Sequence, residues 1–299
     1  MTGFGAARIG IDLGGTKTRL VVLSPDGEVL ASSTRPTADY GAGPEALAAL
    51  AADVRQLRGA LEAGFIGVGA SGPVLPDGTI DNPDTLPGLT GLNVAAALRD
   101  STGIDCRVEN DALSAAIGEW HFGAGRGARR LLMVTLGTGI GVGLVDDGRP
   151  YTGTDGIAPE AGHIPIPGAG HPCYCGLENC WEQSASRSAL QQLALAAVPA
   201  DIAAAGPQQA VAHLAGAPDG DRVLTEYGAR IGRGLSTLLT VHRPDVVVFG
   251  GSGAEQFDRF LPGLRAGLTA RPEYHGRYEL RPAELGDLGG AIGAACLSS

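Results

Sequence analysis

The chain has 299 residues, a length typical of about two domains, and a formal net charge of −10. The acidic balance argues against nucleic acid or an anionic membrane as a partner, because both are recognised by basic clusters. Neither a run of 18 apolar residues nor an export leader is seen, which predicts a cytoplasmic protein. Glycine, with 48 residues, has roughly twice its average share, which indicates tight turns or close approach to a ligand.

The first half of the chain predicts strands followed by alternating helices and strands. Strands with turn-forming residues between them are predicted over Arg8–Leu13, Arg19–Ser24 and Glu28–Thr34. Apolar residues at helical spacing then predict a helix that opens at Pro44. The other elements of this half are a strand over Phe65–Ala70, a helix over Val94–Arg99, a strand over Cys106–Glu109 and a helix from Asn110-Asp111.

The second half repeats the opening pattern of strand, glycine turn and strand. Strands over Arg130–Leu136 and Ile140–Val145 flank the turn Gly137-Thr138-Gly139, and a loop-rich stretch follows from Tyr151 to Asn179. The later elements are helices over Arg187–Ala197, Arg222–His242 and Glu255–Ala270, strands over Asp245–Phe249 and Tyr278–Arg281, and a final helix through Cys296. The repetition predicts duplicated α/β domains that meet at a cleft.

We therefore predict a small N-terminal α/β domain over residues 1–115, which the C-terminal helix at 286–299 can join. A large α/β domain is predicted over residues 116–285, and it carries the cysteine-rich loop.

Neither glycine turn is a P-loop or a dinucleotide fingerprint. Thr16 stands where a P-loop has glycine before its lysine, and Val142 takes the place of the third glycine of the fingerprint. Each turn lies between two strands, so backbone amides and a threonine hydroxyl can face phosphate from a hairpin. One such turn is weak evidence. Two of them, with a third glycine run at 250–253 after a buried strand, indicate a phosphate site.

Three of the five cysteines, Cys173, Cys175 and Cys180, fall within eight residues. In a chain without an export signal, such a cluster favours a metal over disulfides. Three thiolates and one imidazole make a closed tetrahedral zinc site, and His163 and His171 are the candidate fourth ligands. The alternative is three buried thiols beside a core histidine.

Several of these segments together resemble known families. Asp12-Leu13-Gly14-Gly15-Thr16, Leu136-Gly137-Thr138-Gly139-Ile140-Gly141 and Phe249-Gly250-Gly251 resemble the phosphate-1, phosphate-2 and adenosine segments of the actin–hexokinase–Hsp70 ATPase fold. Glu160-Ala161-Gly162-His163, followed by the run from Cys173 to Glu182, resembles the signature of the ROK family of repressors, open reading frames and kinases. The likeness spans nearly the whole chain.

The resemblance implies two ribonuclease H-like ATPase domains of the α/β class around a central cleft. It implies a glucokinase-like sugar kinase that transfers the γ-phosphoryl group of ATP to a hydroxyl of a neutral hexose such as glucose. The 6-hydroxyl is the favoured acceptor position. We also expect a homodimer.

The resemblance also implies the roles of individual residues. The nucleotide, with Mg²⁺ bridging its phosphates near Asp12, is expected at Asp12, Gly14, Gly15, Thr16, Lys17, Gly137, Thr138, Gly139, Gly250 and Gly251. The sugar is expected at Gly69, Asn110, Asp111, Glu160, His163 and Glu182, with Asp111 as the catalytic base. A structural Zn²⁺ is expected at His163, Cys173, Cys175 and Cys180. For Asn110 and Asp111, the alternative is a helix N-cap and an acidic first turn.

Departures from the family pattern keep other functions open. Asn179 stands where the family has glycine, Trp181 replaces a smaller apolar residue and is expected to reshape the sugar pocket, and the segment from Pro83 to Pro87 is one residue longer, with Asp84 for asparagine. The acceptor can therefore also be an amino sugar, fructose or a cyclitol, and the donor polyphosphate. A sugar-responsive repressor is less favoured, because a strand at Arg8 leaves no room for a preceding helix-turn-helix. A non-catalytic sensor would not need the base Asp111.

Overall fold

The computed structural model describes residues 5–168, 172–217, 220–268 and 271–297. It has two five-stranded mixed sheets with helices, which confirms the predicted α/β class. Its contacts divide the chain into two compact units. Unit 1 comprises Met1–Met133, Gly143–Pro159 and Ala283–Ser299, and unit 2 comprises Val134–Val142 and Glu160–Pro282. The domain limits at 1–115 and 116–285 stay a prediction.

The first sheet has the strand order β3-β2-β1-β4-β5. Its strands are β1 (Ala7–Leu13), β2 (Lys17–Leu23), β3 (Val29–Pro36), β4 (Ala63–Ala70) and β5 (Cys106–Asn110). Strands β1, β4 and β5 are parallel, with Asp12 opposite Gly69 and Ala70 opposite Asn110. The carboxyl ends of these three strands therefore lie at one edge of the sheet, which is where ligands of open α/β sheets bind.

Four helices accompany this sheet: α1 (Gly43–Arg58), α2 (Val94–Thr102), α3 (Asp111–Phe122) and α11 (Gly289–Ala295). Helix α11 lies directly on β1 and β4, because a Cβ atom at Gly10 would be 1.8 Å from the Ala291 carbonyl oxygen and one at Gly67 would be 1.8 Å from that of Ala294. The buried Glu119 carboxylate of α3 accepts hydrogen bonds from the backbone N–H groups of Glu284 and Leu285 at 3.1 and 3.0 Å. The C-terminal segment is thus fastened to unit 1.

The second sheet has the order β10-β9-β6-β7-β8. Its strands are β6 (Arg130–Leu136), β7 (Ile140–Asp146), β8 (Arg149–Pro150), β9 (Val246–Gly250) and β10 (Glu279–Pro282). Strand β9 is buried at every position, as expected for an interior strand covered on both faces. The associated helices are α4 (Trp181–Ala185), α5 (Arg187–Ala197), α6 (Ala200–Ala204), α7 (Pro207–Gly216), α8 (Gly220–His242), α9 (Phe257–Gly267) and α10 (Pro272–His275).

The predicted elements are found within a few residues of their expected limits, with additions in the second half. Helices α6 and α7 lie in a stretch for which no element was predicted, and the loop-rich stretch contains a short 3₁₀ turn over Ala161–His163. Among the described residues, no helix is both long and apolar enough to cross a membrane.

Candidate active site

The phosphate-1 turn lies between β1 and β2 in unit 1. Its Gly14 N–H donates to the Lys17 carbonyl at 3.2 Å. The Thr37 hydroxyl donates to the Gly14 carbonyl at 2.6 Å, and the Thr37 N–H donates to the Thr16 carbonyl at 3.0 Å. Gly15, Thr16 and Lys17 are exposed. The turn is therefore held from beneath while its outer side stays open to a ligand.

Asp12 lies at the end of β1, directly before this turn. Burial raises the pKa of Asp12 to about 6; Arg19, whose guanidinium is 3.5 Å from the carboxylate, opposes the rise, and Asp287 adds to it. A Cβ atom at Gly290 would be 2.9 Å from the Asp12 carboxyl carbon, so α11 closes one side of the group. The Asp12 carboxylate offers the oxygen ligand that a hard cation such as Mg²⁺ prefers, and the exposed turn beside it offers N–H groups that suit phosphate.

The junction of β5 and α3 carries the candidate base. Asn110 is the helix N-cap, and its side-chain oxygen accepts from the Ala112 and Leu113 N–H groups at 2.9 and 3.1 Å. Its side-chain amide donates to the Gly72 carbonyl at 3.3 Å. Asp111, the first residue of α3, is half-buried, and its carboxylate accepts from the Ala112 N–H at 2.7 Å. The positive end of the helix favours the ionised carboxylate that a base requires.

Gly69 lies beside this junction and admits no side chain. A Cβ atom there would be 2.9 Å from the Ser114 hydroxyl oxygen and 3.5 Å from the Asp111 Cα atom. The strand register places Gly69 next to Asp12 on β1 and Glu109 on β5. Unit 1 thus brings Asp12, Gly69 and the Asn110-Asp111 pair to one sheet edge.

Asn82 was not predicted as part of this region, although it directly precedes the segment from Pro83 to Pro87. It is buried, and its side-chain amide donates to the Ser71 carbonyl at 2.8 Å and also contacts the Thr85 hydroxyl. The Thr85 carbonyl would be 3.1 Å from a Cβ atom at Gly15. This segment therefore joins the end of β4 to the phosphate-1 turn.

The phosphate-2 turn lies between β6 and β7 in unit 2. Its Gly137 N–H donates to the Gly139 carbonyl at 3.0 Å. The beginning of α5 contacts the turn twice: the Arg187 N–H donates to the Gly137 carbonyl at 2.9 Å, and the Ser188 hydroxyl donates to the Thr138 carbonyl at 2.9 Å. A helix N-terminus, which favours anions, therefore abuts this turn.

The third glycine run follows β9 and rests on the end of β6. Gly251 has φ +76°, and a Cβ atom there would be 2.7 Å from the Leu136 carbonyl oxygen. Both the conformation and the space require glycine. The candidate adenosine residues Gly250 and Gly251 are thus held close to the strand that leads into the phosphate-2 turn.

The four candidate zinc ligands form one cluster in unit 2. The donor atoms of His163, Cys173, Cys175 and Cys180 all lie within 4.8 Å of one another. Cys175 Sγ and Cys180 Sγ are 3.6 Å apart, and Cys173 Sγ is 3.4 Å from His163 Nδ1. These separations suit a tetrahedral ion with metal–sulfur bonds of about 2.3 Å and metal–nitrogen bonds of about 2.0 Å. The residues therefore fit Zn²⁺; the rival ligand His171 lies outside the described residues.

The thiols of the cluster differ in acidity. Burial raises the pKa of Cys173, but hydrogen bonds from the Cys175 backbone and from neighbouring side chains outweigh it and bring the value to about 7. Burial and the adjacent thiols raise the pKa of Cys180 to about 12. Metals bind thiolates, so the low pKa of Cys173 favours the form of that thiol that a metal ion needs.

Backbone hydrogen bonds join the two segments of the ROK-like signature. The Ile166 N–H donates to the Asn179 carbonyl and the Trp181 N–H to the Ile164 carbonyl, both at 2.9 Å. Asn179 has φ +63°, a conformation that asparagine tolerates better than most residues. The turn therefore keeps its left-handed residue although glycine is absent.

Glu182 connects this cluster to the phosphate-2 turn. The Glu182 carboxylate is buried and accepts a hydrogen bond from the Ile140 N–H at 3.0 Å. A Cβ atom at Gly139 would be 1.9 Å from the same carboxylate oxygen, and one at Gly162 would be 2.1 Å from the Ile140 carbonyl oxygen. The glycines of both motifs thus permit direct contact between the cluster and the turn.

Glu160 precedes the 3₁₀ turn that carries His163, whose N–H donates to the Glu160 carbonyl at 3.0 Å. Desolvation by the surrounding protein raises the pKa of Glu160; His163 opposes this shift and the nearby Glu182 charge adds to it. The two candidate acceptor carboxylates therefore act on each other, as groups that face one small site do.

Tyr174 also belongs to this cluster, although it was not predicted as a site residue. Its hydroxyl oxygen is 3.3 Å from His163 Nε2, and its ring meets the imidazole edge-on at a centroid distance of 5.2 Å. Burial and then the Glu182 carboxylate raise the pKa of Tyr174. Its position between two cysteine ligands is the one signal in the sequence that it lies near the site.

Trp181 is part of the protein core, and its expected effect on the sugar pocket stays a prediction. The side chain is fully buried, and its indole N–H donates to the Arg230 carbonyl at 3.2 Å. Its contribution is to anchor α4, and with it Glu182, to α8.

Known proteins resemble the chain along almost its whole length. The ROK family model matches residues 8–299. The glucokinases of Thermotoga maritima and Streptomyces coelicolor are 30% and 32% identical to the chain, each alignment covering 97% of the chain and 96% of the relative. The crystal structure of a ROK family glucokinase from Streptomyces griseus with glucose and AMPPNP superposes with a TM-score of 0.82, at 28% identity, over 97% of this chain and 98% of that chain.

The fold is that of the actin–hexokinase–Hsp70 kinases. Within that class, the chain belongs to the ROK family, which confirms the resemblance found in its motifs.

Proposed function

We propose that the protein is an ATP-dependent sugar kinase that transfers the γ-phosphoryl group to the 6-hydroxyl of a neutral hexose, with glucose as the first candidate. The similarity to glucokinases along almost the whole chain supports this proposal. An amino sugar, fructose or a cyclitol is the alternative acceptor.

The candidate acceptor residues of unit 2, Glu160, His163 and Glu182, are here called the acceptor cluster. The observation that carries the proposal is a direct hydrogen bond between this cluster and the strand that follows the phosphate-2 turn. Glu182 accepts from the Ile140 N–H at 3.0 Å, and Gly162 packs on the Ile140 carbonyl. Phosphoryl transfer depends mainly on positioning and on neutralising charge. Transfer between two bound compounds requires that their sites keep a fixed distance. Ile140, the first residue of β7, follows the phosphate-2 turn and also contacts Glu182, which supports such an arrangement.

In the proposed reaction, Asp111 accepts the proton of the attacking hydroxyl. Its place at the beginning of α3 favours the charged form, and Asn110 fixes the helix end on which Asp111 lies. When bound, Mg²⁺ near Asp12 supplies positive charge to the ATP phosphates. Backbone amides of the two glycine turns, together with the exposed residues Thr16 and Thr138, are the proposed phosphate donors.

The cysteine cluster has a structural part in this proposal. Zn²⁺ held by His163 and the three cysteines has no free coordination position for substrate. It would hold the loop that presents Glu160 and His163, and it would keep His163 neutral. The pocket residues of unit 2 would then offer carboxylates and no cation, so a phosphorylated sugar would be repelled.

A coupled ADP-release assay over hexoses, amino sugars and cyclitols tests the proposal, with ATP and polyphosphate as separate donors. Glucose-dependent ADP release from ATP is expected, and 6-deoxyglucose should bind without turnover. If only a cyclitol or an amino sugar is turned over, that compound replaces glucose as the proposed acceptor. Binding of sugar without any turnover would indicate a sensor.

The two domains at residues 1–115 and 116–285 and the homodimer are further parts of this proposal. Limited proteolysis and light scattering at assay concentration measure them. A protein that stays monomeric across the concentration range would contradict the proposed homodimer.

A further inference from the structure

Tyr174 presents its hydroxyl to the one imidazole nitrogen that a metal would leave open. His163 Nδ1 faces Cys173 Sγ at 3.4 Å, inside the zinc-type cluster, while His163 Nε2 faces the Tyr174 hydroxyl at 3.3 Å. With Nδ1 committed to the metal, Nε2 carries the ring proton and donates it. The Tyr174 oxygen is therefore the acceptor of that hydrogen bond.

The surroundings of this hydroxyl are those proposed for an acceptor hydroxyl. The negative charges of Glu182 and Glu160 act on Tyr174, so both carboxylates lie near its side chain. A sugar hydroxyl bound at this place would accept from His163 Nε2 and donate to a carboxylate. The phenol offers the same pair of functions, one oxygen that accepts and one proton that donates.

The Tyr174 side chain is also free to leave. It is 66% exposed, in contrast to Trp181, which is fully buried. The contacts that the structure gives it are those with the His163 ring and the nearby charges. Rotation of the phenol into water therefore breaks its contacts with the His163 ring, and its exposure leaves room for this rotation.

We infer that the Tyr174 hydroxyl occupies the position of an acceptor hydroxyl at His163 Nε2 in the free protein, and that the sugar binds by displacing it. This inference rests on the proposed function. It makes Tyr174 a determinant of acceptor affinity, because the observed affinity is the intrinsic one reduced by the fraction of molecules in which the position is open. Removing the hydroxyl and keeping the ring should raise that fraction.

The test compares Tyr174→Phe with the unchanged protein and with Tyr274→Phe, a control at another exposed tyrosine in α10. Calorimetric titration with glucose should give a Kd about 3- to 10-fold lower for Tyr174→Phe, the worth of one net hydrogen bond. The Kd for AMPPNP and the zinc content should not change. The Tyr274→Phe variant should match the unchanged protein in all three measurements.

A second measurement uses the unchanged protein alone. Displacement of the phenol from its place beside the His163 ring and the charges of Glu182 and Glu160 should produce a tyrosine ultraviolet difference spectrum when glucose is added, and Tyr174→Phe should lose it. An unchanged or higher glucose Kd in Tyr174→Phe, or a difference spectrum that persists there, would overturn the inference while glucose turnover leaves the proposed function standing. Absence of glucose binding and turnover in every form would overturn both.

Discussion

The two glycine turns have the same form in sequence but are supported in different ways. The phosphate-1 turn between β1 and β2 is held by backbone hydrogen bonds and by Thr37, all from unit 1. The phosphate-2 turn between β6 and β7 is contacted by the beginning of α5 and, through Ile140, by the Glu182 carboxylate. The first turn is thus supported from its own part of unit 1, whereas the second is hydrogen-bonded to the proposed acceptor cluster.

This difference predicts how damage spreads from each turn. A change in the unit 1 residues near the first turn should alter nucleotide binding or chemistry and leave the metal cluster intact. A change in the cluster should reach the second turn, because one carboxylate serves both. The predictions below separate these two behaviours.

The largest effect is expected from Asp111→Asn in unit 1. The amide cannot accept the hydroxyl proton, so kcat should fall by about 10²- to 10⁴-fold, the usual worth of a general base. Steady-state kinetics measure this, and calorimetry and elemental analysis should show sugar affinity and zinc content retained. Near-normal turnover would remove Asp111 as the base.

Cys175→Ser should act only through the cluster. Loss of one of four ligands should remove the zinc, and the glucose Kd should rise by at least about 10-fold, the range seen when metal sites lose their supporting groups. Elemental analysis and calorimetry measure the two effects, with Cys106→Ser as a control because Cys106 lies in β5, outside the cluster. If the protein without substitutions contains no metal and is still active, the prediction is contradicted.

Glu160→Gln and Glu182→Gln form a matched pair on the two sides of the cluster. Glu160→Gln should weaken sugar binding by about 1–3 kcal/mol, the worth of a hydrogen bond to a charged group, and leave ATP binding unchanged. Glu182→Gln should weaken both, because Glu182 also accepts from the Ile140 N–H. Titration of each ligand into each variant decides. Loss of ATP affinity in Glu160→Gln with sugar affinity intact would reverse the site assignment.

The smallest effect concerns His275, which is remote from both turns in sequence and serves as an internal reference for unit 2. Its ring is buried and 2.9 Å from the Ser236 hydroxyl, and burial lowers the pKa of His275. Below pH of about 6.5 the unfolded chain binds a proton that the folded protein resists, so stability should fall as the pH drops, by at most about 1.4 kcal/mol per pH unit.

Urea unfolding at pH 7.5 and 5.5 measures this slope. His275→Gln should flatten it, whereas His213→Gln, at an exposed histidine of α7, should not. An equal slope in the His275 variant would assign the pH dependence to other groups.

The sequence was sufficient to predict most strands, because turn residues such as Gly14 and Gly148 mark where they end. The limits of β6 and α5 agree with prediction, since the apolar run Leu131–Val134 marks β6 and Ser186 caps α5. The alanine-rich α6 and α7 were missed because they lack a strong apolar face. Helix α7 is stabilised instead by packing of Ala210 and Leu214 against Ala194 of α5, whereas no residue of α6 is buried.

The candidate site could be predicted only as a set of residue types. Spacing within the motifs indicated the metal ligands, and the structure brings those four donor atoms together. The sequence could not indicate the hydrogen bond from the Ile140 N–H to Glu182, because these residues are 42 positions apart. Nor could it show that Asn82 bridges two loops or that Tyr174 faces His163, because both depend on how loops fold back.

The contact between Trp181 and Gly234 couples substitutions at two positions that are distant in the sequence. A Cβ atom at Gly234 would lie 2.3 Å from the indole, so the large ring and the missing side chain are complementary in volume. A smaller residue at 181 alone would leave a cavity, and a larger one at 234 alone would collide with the ring. Either exchange alone therefore destabilises the protein, and a graft of a relative's loop onto this chain should change both positions together.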